Sequence, residues 1–283
     1  MGADAVAVVE RALALICIYQ AAGAAAFAAL FGRMAQVASE RVWRLGAVAA
    51  LLAIVLIVLR LPLTTARMAG DWSGMGDAGL LRLALHSSQA TAAGFKLAGL
   101  ALLAAGLWRR KPFAALLGAA LTVGAPALTG HTSVNPQRAL LAPLLIAHVA
   151  VGCFWLGALW PLQLTVRLET PAGAAAVLQR FSRIAGWLVP CLALSGVAMA
   201  ALLINDWSVL QRPYGRLLLC KFGVFLILMG LAALNRWRYA PALVSKPQPS
   251  RRALQRCMRA EYLLIAAVLA MTATLTTLYS PED

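Results

Sequence analysis

Three ionisable side chains lie within long apolar stretches of the sequence. They are Lys96, His148 and Lys221, and two further histidines, His86 and His131, lie near the ends of such stretches. Charged groups inside a membrane are costly, so they usually face the interior of a helix bundle or a water-filled cavity. A histidine in that position can ligate copper, zinc or haem iron, or it can relay protons.

His148 is the member of this group that a purely structural role explains least well. It follows Arg138 by ten residues, which places it about 15 Å below the outer membrane surface at the rise of an α-helix. Lys221 follows Arg216 by five residues and lies about 7–8 Å deep by the same rise. An imidazole in the middle of an apolar helix needs a buried partner. We therefore expect the polar groups to share one pocket in the outer half of the membrane.

Each of the other four residues also has an ordinary structural interpretation. Lys221 could extend its ammonium group to the outer interface, and Lys96 could form a hydrogen bond between helices. His86 precedes two serines and a glutamine and could cap a helix, whereas His131 could be a loop residue. The sequence leaves these alternatives open.

Sulfur ligands are the second chemical signal, because they favour Cu(I). Met68 and Met75 lie in the predicted outer loop that follows the second apolar segment, and Met199 lies near the outer end of the sixth. The sequence contains no Met-rich run, and core packing is the ordinary role of methionine. The five cysteines form no CxxC pair, so their spacing indicates neither a zinc site nor a disulfide framework.

One face of the fifth apolar segment carries His148, Gly152, Trp155 and Leu159 at helical spacing. Gly152 would permit the close approach of another helix or of a flat ligand. We expect this face to line the pocket.

The elements that must position these residues are membrane-spanning helices. Hydrophobic residues make up 62% of the 283 residues and charged residues only 12%, against roughly 25% charged in soluble domains. Runs of about 20 apolar residues match the bilayer core. The sequence predicts an all-α membrane protein, a bundle of eight transmembrane helices forming a single domain over residues 1–283. The predicted spans are approximately 12–31, 45–63, 83–108, 113–128, 140–166, 184–204, 217–234 and 262–278.

The distribution of basic residues predicts the orientation. Sixteen Lys and Arg residues fall in the loops between spans 1–2, 3–4, 5–6 and 7–8, and seven fall on the opposite side. Basic loops stay in the cytoplasm, so we expect both termini on the periplasmic side of a bacterial inner membrane. Membrane lipid then explains the net charge of +15 better than nucleic acid does, because no basic stripe is interleaved with exposed aromatic residues.

The third and seventh spans both run inward and each carries a lysine, Lys96 and Lys221. Two four-helix halves in parallel orientation would explain this similarity, as in other membrane proteins built from repeats.

The chain resembles the copper-resistance CopD/PcoD family of inner-membrane proteins over about residues 129–243. It matches a Gly-His step, a His-x6-Trp helix, an Arg-Phe-Ser segment, a Tyr-Gly-x-x-Leu-x-x-Lys helix and an Asn-Arg step before a proline. The matching residues are Gly130-His131-Thr132, His148, Trp155, Gly157-Ala158, Pro161-Leu162, Arg180-Phe181-Ser182-Arg183, Tyr214, Gly215, Leu218, Lys221, Asn235-Arg236 and Pro241. Thr132 and Ala158 depart mildly from the family pattern.

The resemblance implies that the chain handles copper and passes it across the inner membrane from a periplasmic copper carrier. His131 and His86, together with Met68 or Met75, would receive copper at the periplasmic face, and His148 would carry it inward. A transporter is then expected rather than an enzyme. The sequence has no Walker A motif, which excludes an ATP-driven pump within this chain.

Lys96 and Lys221 are the main physical objection to copper transport, because an ammonium group repels a cation. With Trp155, Tyr214 and Gly152 they are expected to line the pocket. No carboxylate lies within the predicted spans, which removes the usual partner for proton coupling.

The family is also distantly similar to HemJ-type membrane proteins, which implies a second hypothesis. In it the chain is a haem b-binding redox protein or enzyme that uses His148 and Lys221, with His86 and His131 as further candidate ligands. A third hypothesis is a non-enzymatic assembly or chaperone subunit.

Overall fold

The computed structural model describes residues 2–129, 135–204 and 206–279, and these residues form helices and short connections without a strand. The α-helices are α1 (Gly2–Phe31), α2 (Gln36–Ala69), α3 (Ala78–Leu85), α4 (Ser88–Trp108), α5 (Pro112–Gly124), α6 (Arg138–Leu168), α7 (Pro171–Leu203), α8 (Pro213–Leu234), α9 (Ala242–Ser245) and α10 (Pro247–Leu278). Short 3₁₀-helices follow α2, α5 and α7 at Trp72–Gly76, Ala125–Leu128 and Trp207–Gln211, and a π-helix, Asn235–Tyr239, continues α8.

The all-α membrane bundle is confirmed. Seven described helices are long and apolar enough to cross a membrane, namely α1, α2, α4, α6, α7, α8 with its π-turn, and α10. The remaining predicted span is the shorter apolar segment Pro112–Leu128, made of α5 and the 3₁₀-turn after it. Their outward faces carry large apolar side chains such as Leu51, Val55 and Val58, as a lipid environment requires.

Several helices extend beyond their predicted bounds. The helices expected from residues 12, 184 and 262 begin at Gly2, Pro171 and Pro247, and the one expected over 45–63 covers Gln36–Ala69. The added turns contain charged residues, which are compatible with helix but lower the mean hydropathy of a sequence window. The span predicted over 83–108 is interrupted near His86, because α3 ends there and the Ser87 hydroxyl accepts the Ala90 N–H to start α4.

α1 is the central helix of the bundle and packs against α2, α6 and α10. Its middle is a run of fully or nearly fully buried small residues, which lets neighbouring backbones come close. The tightest approach joins Gly23 of α1 to Gly157 of α6. A Cβ added at either glycine would lie 2.5 Å from the Cα of the other. The Gln20 side-chain amide also donates to the Gly157 carbonyl at 3.0 Å.

Gly23 and Gly157 each lie against the backbone of the opposite helix in the same way. A Cβ at Gly157 would clash with the Tyr19 carbonyl, and a Cβ at Gly23 would clash with the Cys153 carbonyl. Tyr19 and Gly23 each precede their counterparts by 134 positions. These paired contacts support two halves in parallel orientation, α1–α5 and α6–α10, that meet along α1 and α6.

A repeated Asp-Trp-Ser tripeptide marks the same place in each half. Asp71 accepts hydrogen bonds from the Ser73 N–H at 2.7 Å and from the Ser73 hydroxyl. Asp206 does the same with Ser208, at 3.1 Å from its N–H. These bonds cap the 3₁₀-helices after α2 and α7, and the serine hydroxyls hold the pKa of each aspartate below its usual value.

The glycine contact predicts a stability difference between two glycine variants. Gly157→Val places a branched side chain against the α1 backbone, which cannot move aside, so we expect a loss of about 1–3 kcal/mol or more. Gly223→Val on α8 is the matched control, because a Cβ there meets nothing within 4 Å. Thermal unfolding in lipid nanodiscs, followed by tryptophan fluorescence, measures both. Equal stability of the two variants would contradict the close approach of α1 and α6.

Candidate functional site

The polar residues inside the bundle form two neighbourhoods rather than the single pocket expected from the sequence. The first lies among α1, α2 and α4. Arg60 forms a bidentate ion pair with the buried carboxylate of Glu10, with both N–O distances 3.0 Å. Lys96 lies close enough to interact electrostatically with Arg60, Arg11 and Glu10. This neighbourhood therefore holds three cations and one carboxylate.

Hydrogen bonds join the same region to the C-terminal end of α10. Arg11 donates to the Thr276 carbonyl at 2.8 Å. Arg67 pairs with Asp4 at 2.8 Å and donates to the Thr277 carbonyl at 3.1 Å. These bonds hold together the N-terminal part of α1 and the C-terminal ends of α2 and α10.

The second neighbourhood lies between α6 and α7, where His148 is half-buried. Its Nδ1 lies 3.1 Å from the Leu192 carbonyl oxygen and 3.2 Å from the Ser195 hydroxyl oxygen. The missing side chain of Gly196 makes room for the ring, because a Cβ there would lie 3.2 Å from His148 Cε1. With Nδ1–H donated to the carbonyl, Nε2 carries the lone pair that a metal needs. Lys221 of α8 lies near enough to act on this imidazole electrostatically.

Glu261, a buried carboxyl group that we did not expect from the sequence, lies beside Trp155, which follows His148 by seven residues on α6. Glu261 of α10 is only 3% exposed, and it accepts a hydrogen bond from Trp155 Nε1 at 3.4 Å and one from Asn235 Nδ2. The expectation that no carboxylate lies within the spans is therefore wrong, both here and at Glu10. Each glutamate lies one or two residues outside a predicted apolar window but inside the longer helix that actually forms.

A partly open cavity of about 280 Å³ adjoins Glu261 and is lined by residues of α6, α7, α8 with its π-helix, and α10. α7 and α8 make little or no backbone contact with each other within the described residues, which leaves the space open. Trp155 and Leu159 line this cavity, which is separate from the pocket around His148 that their helical face was expected to line. Gly152 does not, because it packs against Tyr19 of α1.

The remaining candidates lie apart from these sites. His86 is exposed, and its Nδ1 lies 2.8 Å from the Arg82 carbonyl at the end of α3. Met68 and Met75 are exposed after α2, and Tyr214 is half-buried at the start of α8. His131 lies outside the described residues. Within residues 2–129, 135–204 and 206–279, no three His, Cys, Asp or Glu side chains cluster as metal ligands would.

Comparisons with known proteins agree with the two-half architecture. Residues 2–136 match the family model "Copper resistance protein D-like, N-terminal domain", and residues 175–275 match "Copper resistance protein D". The first match ends just before α6, and the second begins within α7. No solved structure matches the chain significantly.

Two curated relatives are also similar. Copper transport protein CutJ of Bacillus subtilis (strain 168) is 28% identical over 248 residues, which are 80% of this chain and 44% of CutJ. Copper resistance protein D of Pseudomonas syringae pv. tomato is 29% identical over 236 residues, which are 77% of this chain and 72% of the relative. The chain thus spans less than half of the Bacillus protein. Together, the two family matches and these relatives show that the chain belongs to the copper-resistance CopD/PcoD family of multi-pass membrane proteins.

Proposed function

We propose that this protein moves copper across a bacterial inner membrane through the second half of its bundle, with both termini on the periplasmic side. Family membership supports a role in copper homeostasis. The observation that carries the proposal is the environment of His148. Its Nδ1 lies 3.1 Å from the Leu192 carbonyl oxygen, and donation of the Nδ1 proton to that oxygen would make Nε2 the ring nitrogen offered to a metal.

Electrostatics favours the second half over the first. Three cationic side chains, Arg11, Arg60 and Lys96, act together around the single carboxylate of Glu10. An unscreened cation beside such a group is repelled strongly in a low-dielectric interior. Among the described residues of the second half, Lys221 is the one cation that acts on His148, and the buried carboxyl group of Glu261 lies further along α6.

The outer surface offers ligands for the first capture of copper. Met68 and Met75 are exposed after α2, and their thioethers suit Cu(I). His86, which is exposed at the end of α3, is a further candidate ligand, and the sequence adds His131 as another. A periplasmic copper carrier that docks there would transfer its ion to these residues, and His148 would receive it next.

The proposal predicts that His148 controls copper passage. In cells that express equal amounts of protein, His148→Ala should lower copper accumulation by about tenfold or more, the order of loss that follows disruption of a metal ligand. Ser195→Ala should have a smaller effect, because the Leu192 carbonyl still holds the ring. Lys221→Met should leave accumulation unchanged or raise it, since a repelling charge is removed. Copper content by mass spectrometry is the measurement, and equal accumulation in wild type and His148→Ala would contradict the proposal.

Haem binding is the second candidate function, and one observation favours it. A histidine whose Nδ1 is bonded to a backbone carbonyl is a suitable axial ligand, and Lys221 lies nearby. The two side chains could hold haem b, which would supply electron-transfer chemistry. However, neither residue lines the large cavity.

Visible absorption separates the two functions. Copper transport predicts that purified protein, oxidised and then reduced with dithionite, shows no Soret band. A Soret band near one haem per chain that is lost in both His148→Ala and Lys221→Met would overturn the copper proposal in favour of haem. Oxidised and reduced spectra of the three proteins are the measurement.

A further inference from the structure

Two methionines that the sequence analysis did not single out line the cavity beside Glu261. Met229 comes from α8 and Met258 from α10, and Met258 is only 2% exposed. Methionine commonly fills irregular gaps in a core. Here both residues instead border a space of about 280 Å³. Thioethers are soft ligands that select Cu(I) over harder ions.

Glu261 can supply a negative charge at the same place. Its two carboxyl oxygens each accept a hydrogen bond, from Trp155 and from Asn235. Among the described residues, no Lys, Arg or His forms an ion pair with it. A buried carboxyl group without an opposite charge tends to keep its proton. A monovalent cation in the adjoining cavity would take the place of that proton and balance the carboxylate.

Asn235, which donates to Glu261, has a side-chain oxygen that lacks a hydrogen bond to any described residue. Its amide nitrogen donates to Glu261, but its Oδ1 is buried and has no hydrogen-bond partner within the described structure. It also begins the π-helix Asn235–Tyr239, a form of local helix widening that is frequent at functional sites. Asn235 is thus a cavity-lining residue whose side-chain oxygen has an unmet hydrogen-bonding capacity within the described structure.

We propose that this cavity is an inner Cu(I) site, in which the thioethers of Met229 and Met258 ligate the ion and the carboxylate of Glu261 balances its charge. The inference rests on the proposed copper function and extends it to a second binding site. Trp155 connects the two sites, because it follows His148 by seven residues on one helical face, about 10 Å deeper. Copper would pass from a nitrogen ligand at His148 to sulfur ligands further in.

One cation lies at the rim of this cavity. Arg236 is exposed, and its Nη1 donates to the Ser182 carbonyl at 3.2 Å rather than to Glu261. Its charge is therefore directed at the α7 backbone and solvated at the bundle surface. Glu261 is the only acidic side chain among the described residues that line the cavity, and Arg236 does not pair with it, so its carboxyl group is available to the metal.

X-ray absorption spectroscopy at the selenium edge tests the site directly. The full chain is produced with selenomethionine, placed in lipid nanodiscs and loaded anaerobically with Cu(I) alone. We expect a selenium–copper scattering path. The comparison is made in protein that carries Met68→Leu and Met75→Leu, because those exposed methionines could also bind Cu(I). In that background, replacing both cavity methionines, in Met229→Leu with Met258→Leu, should abolish the path, and leucine keeps the volume close to that of methionine. The matched control is Met199→Leu with Met271→Leu, two methionines on α7 and α10 outside the cavity lining, and it should keep the path.

Competition with a chromophoric Cu(I) chelator measures Cu(I) affinity, and it tests whether the charge of Glu261 contributes to binding. Glu261→Gln keeps the shape of the side chain and removes its charge, so we expect Cu(I) affinity to fall at least tenfold. An absent selenium–copper path in the wild type, a path that persists in the double cavity variant, or unchanged affinity in Glu261→Gln would each overturn the inner site. Copper accumulation in wild-type cells reports on the proposed function separately. Accumulation that depends on His148 without a selenium–copper path would therefore reject the inner site alone.

Discussion

An ionised carboxylate inside a membrane needs an opposite charge or a set of hydrogen-bond donors, and this constraint distinguishes the two halves of the bundle. Glu10 meets it with the bidentate guanidinium of Arg60. Glu261 meets it only in part, with the N–H groups of Trp155 and Asn235. Arg60 already balances the charge of Glu10, whereas no basic side chain of the described residues pairs with Glu261. This difference is why the proposed copper site lies in the second half.

The two halves share the same arrangement of helices, but they carry different side chains at corresponding positions. Gly23 and Gly157 hold the central helices together, and the Asp-Trp-Ser caps end the second helix of each half in the same way. Arg60 and Ser195 are 135 positions apart, as Asp71 and Asp206 are. Where the first half has a guanidinium paired with a glutamate, the second has a hydroxyl beside His148. A small neutral group at that position leaves the imidazole available to a ligand.

Hydropathy alone predicted the helical class, the approximate position of each span and the burial of His148 among polar partners. It could not predict Glu10 or Glu261 as intramembrane groups, because charged residues at a helix end shorten the apolar window while the helix continues. It also grouped Lys96 with His148, although depth along a helix does not specify which neighbour the helix faces. The cavity methionines gave no sequence signal, since Met229 and Met258 lie on different helices and meet only in the folded bundle. The repeated Asp-Trp-Ser tripeptide was visible in the sequence and would have strengthened the two-half prediction.

The central claim is that copper binds in the second half of the bundle, between α6, α7, α8 and α10, and not among the cations of the first half. Anomalous scattering at the copper absorption edge, from crystals of the Cu(I)-loaded protein, measures the position of the ion without prior choice of ligands. We expect anomalous copper density beside His148 or within the cavity at Glu261. Copper density among α1, α2 and α4, near Lys96 and the Glu10–Arg60 pair, would contradict it.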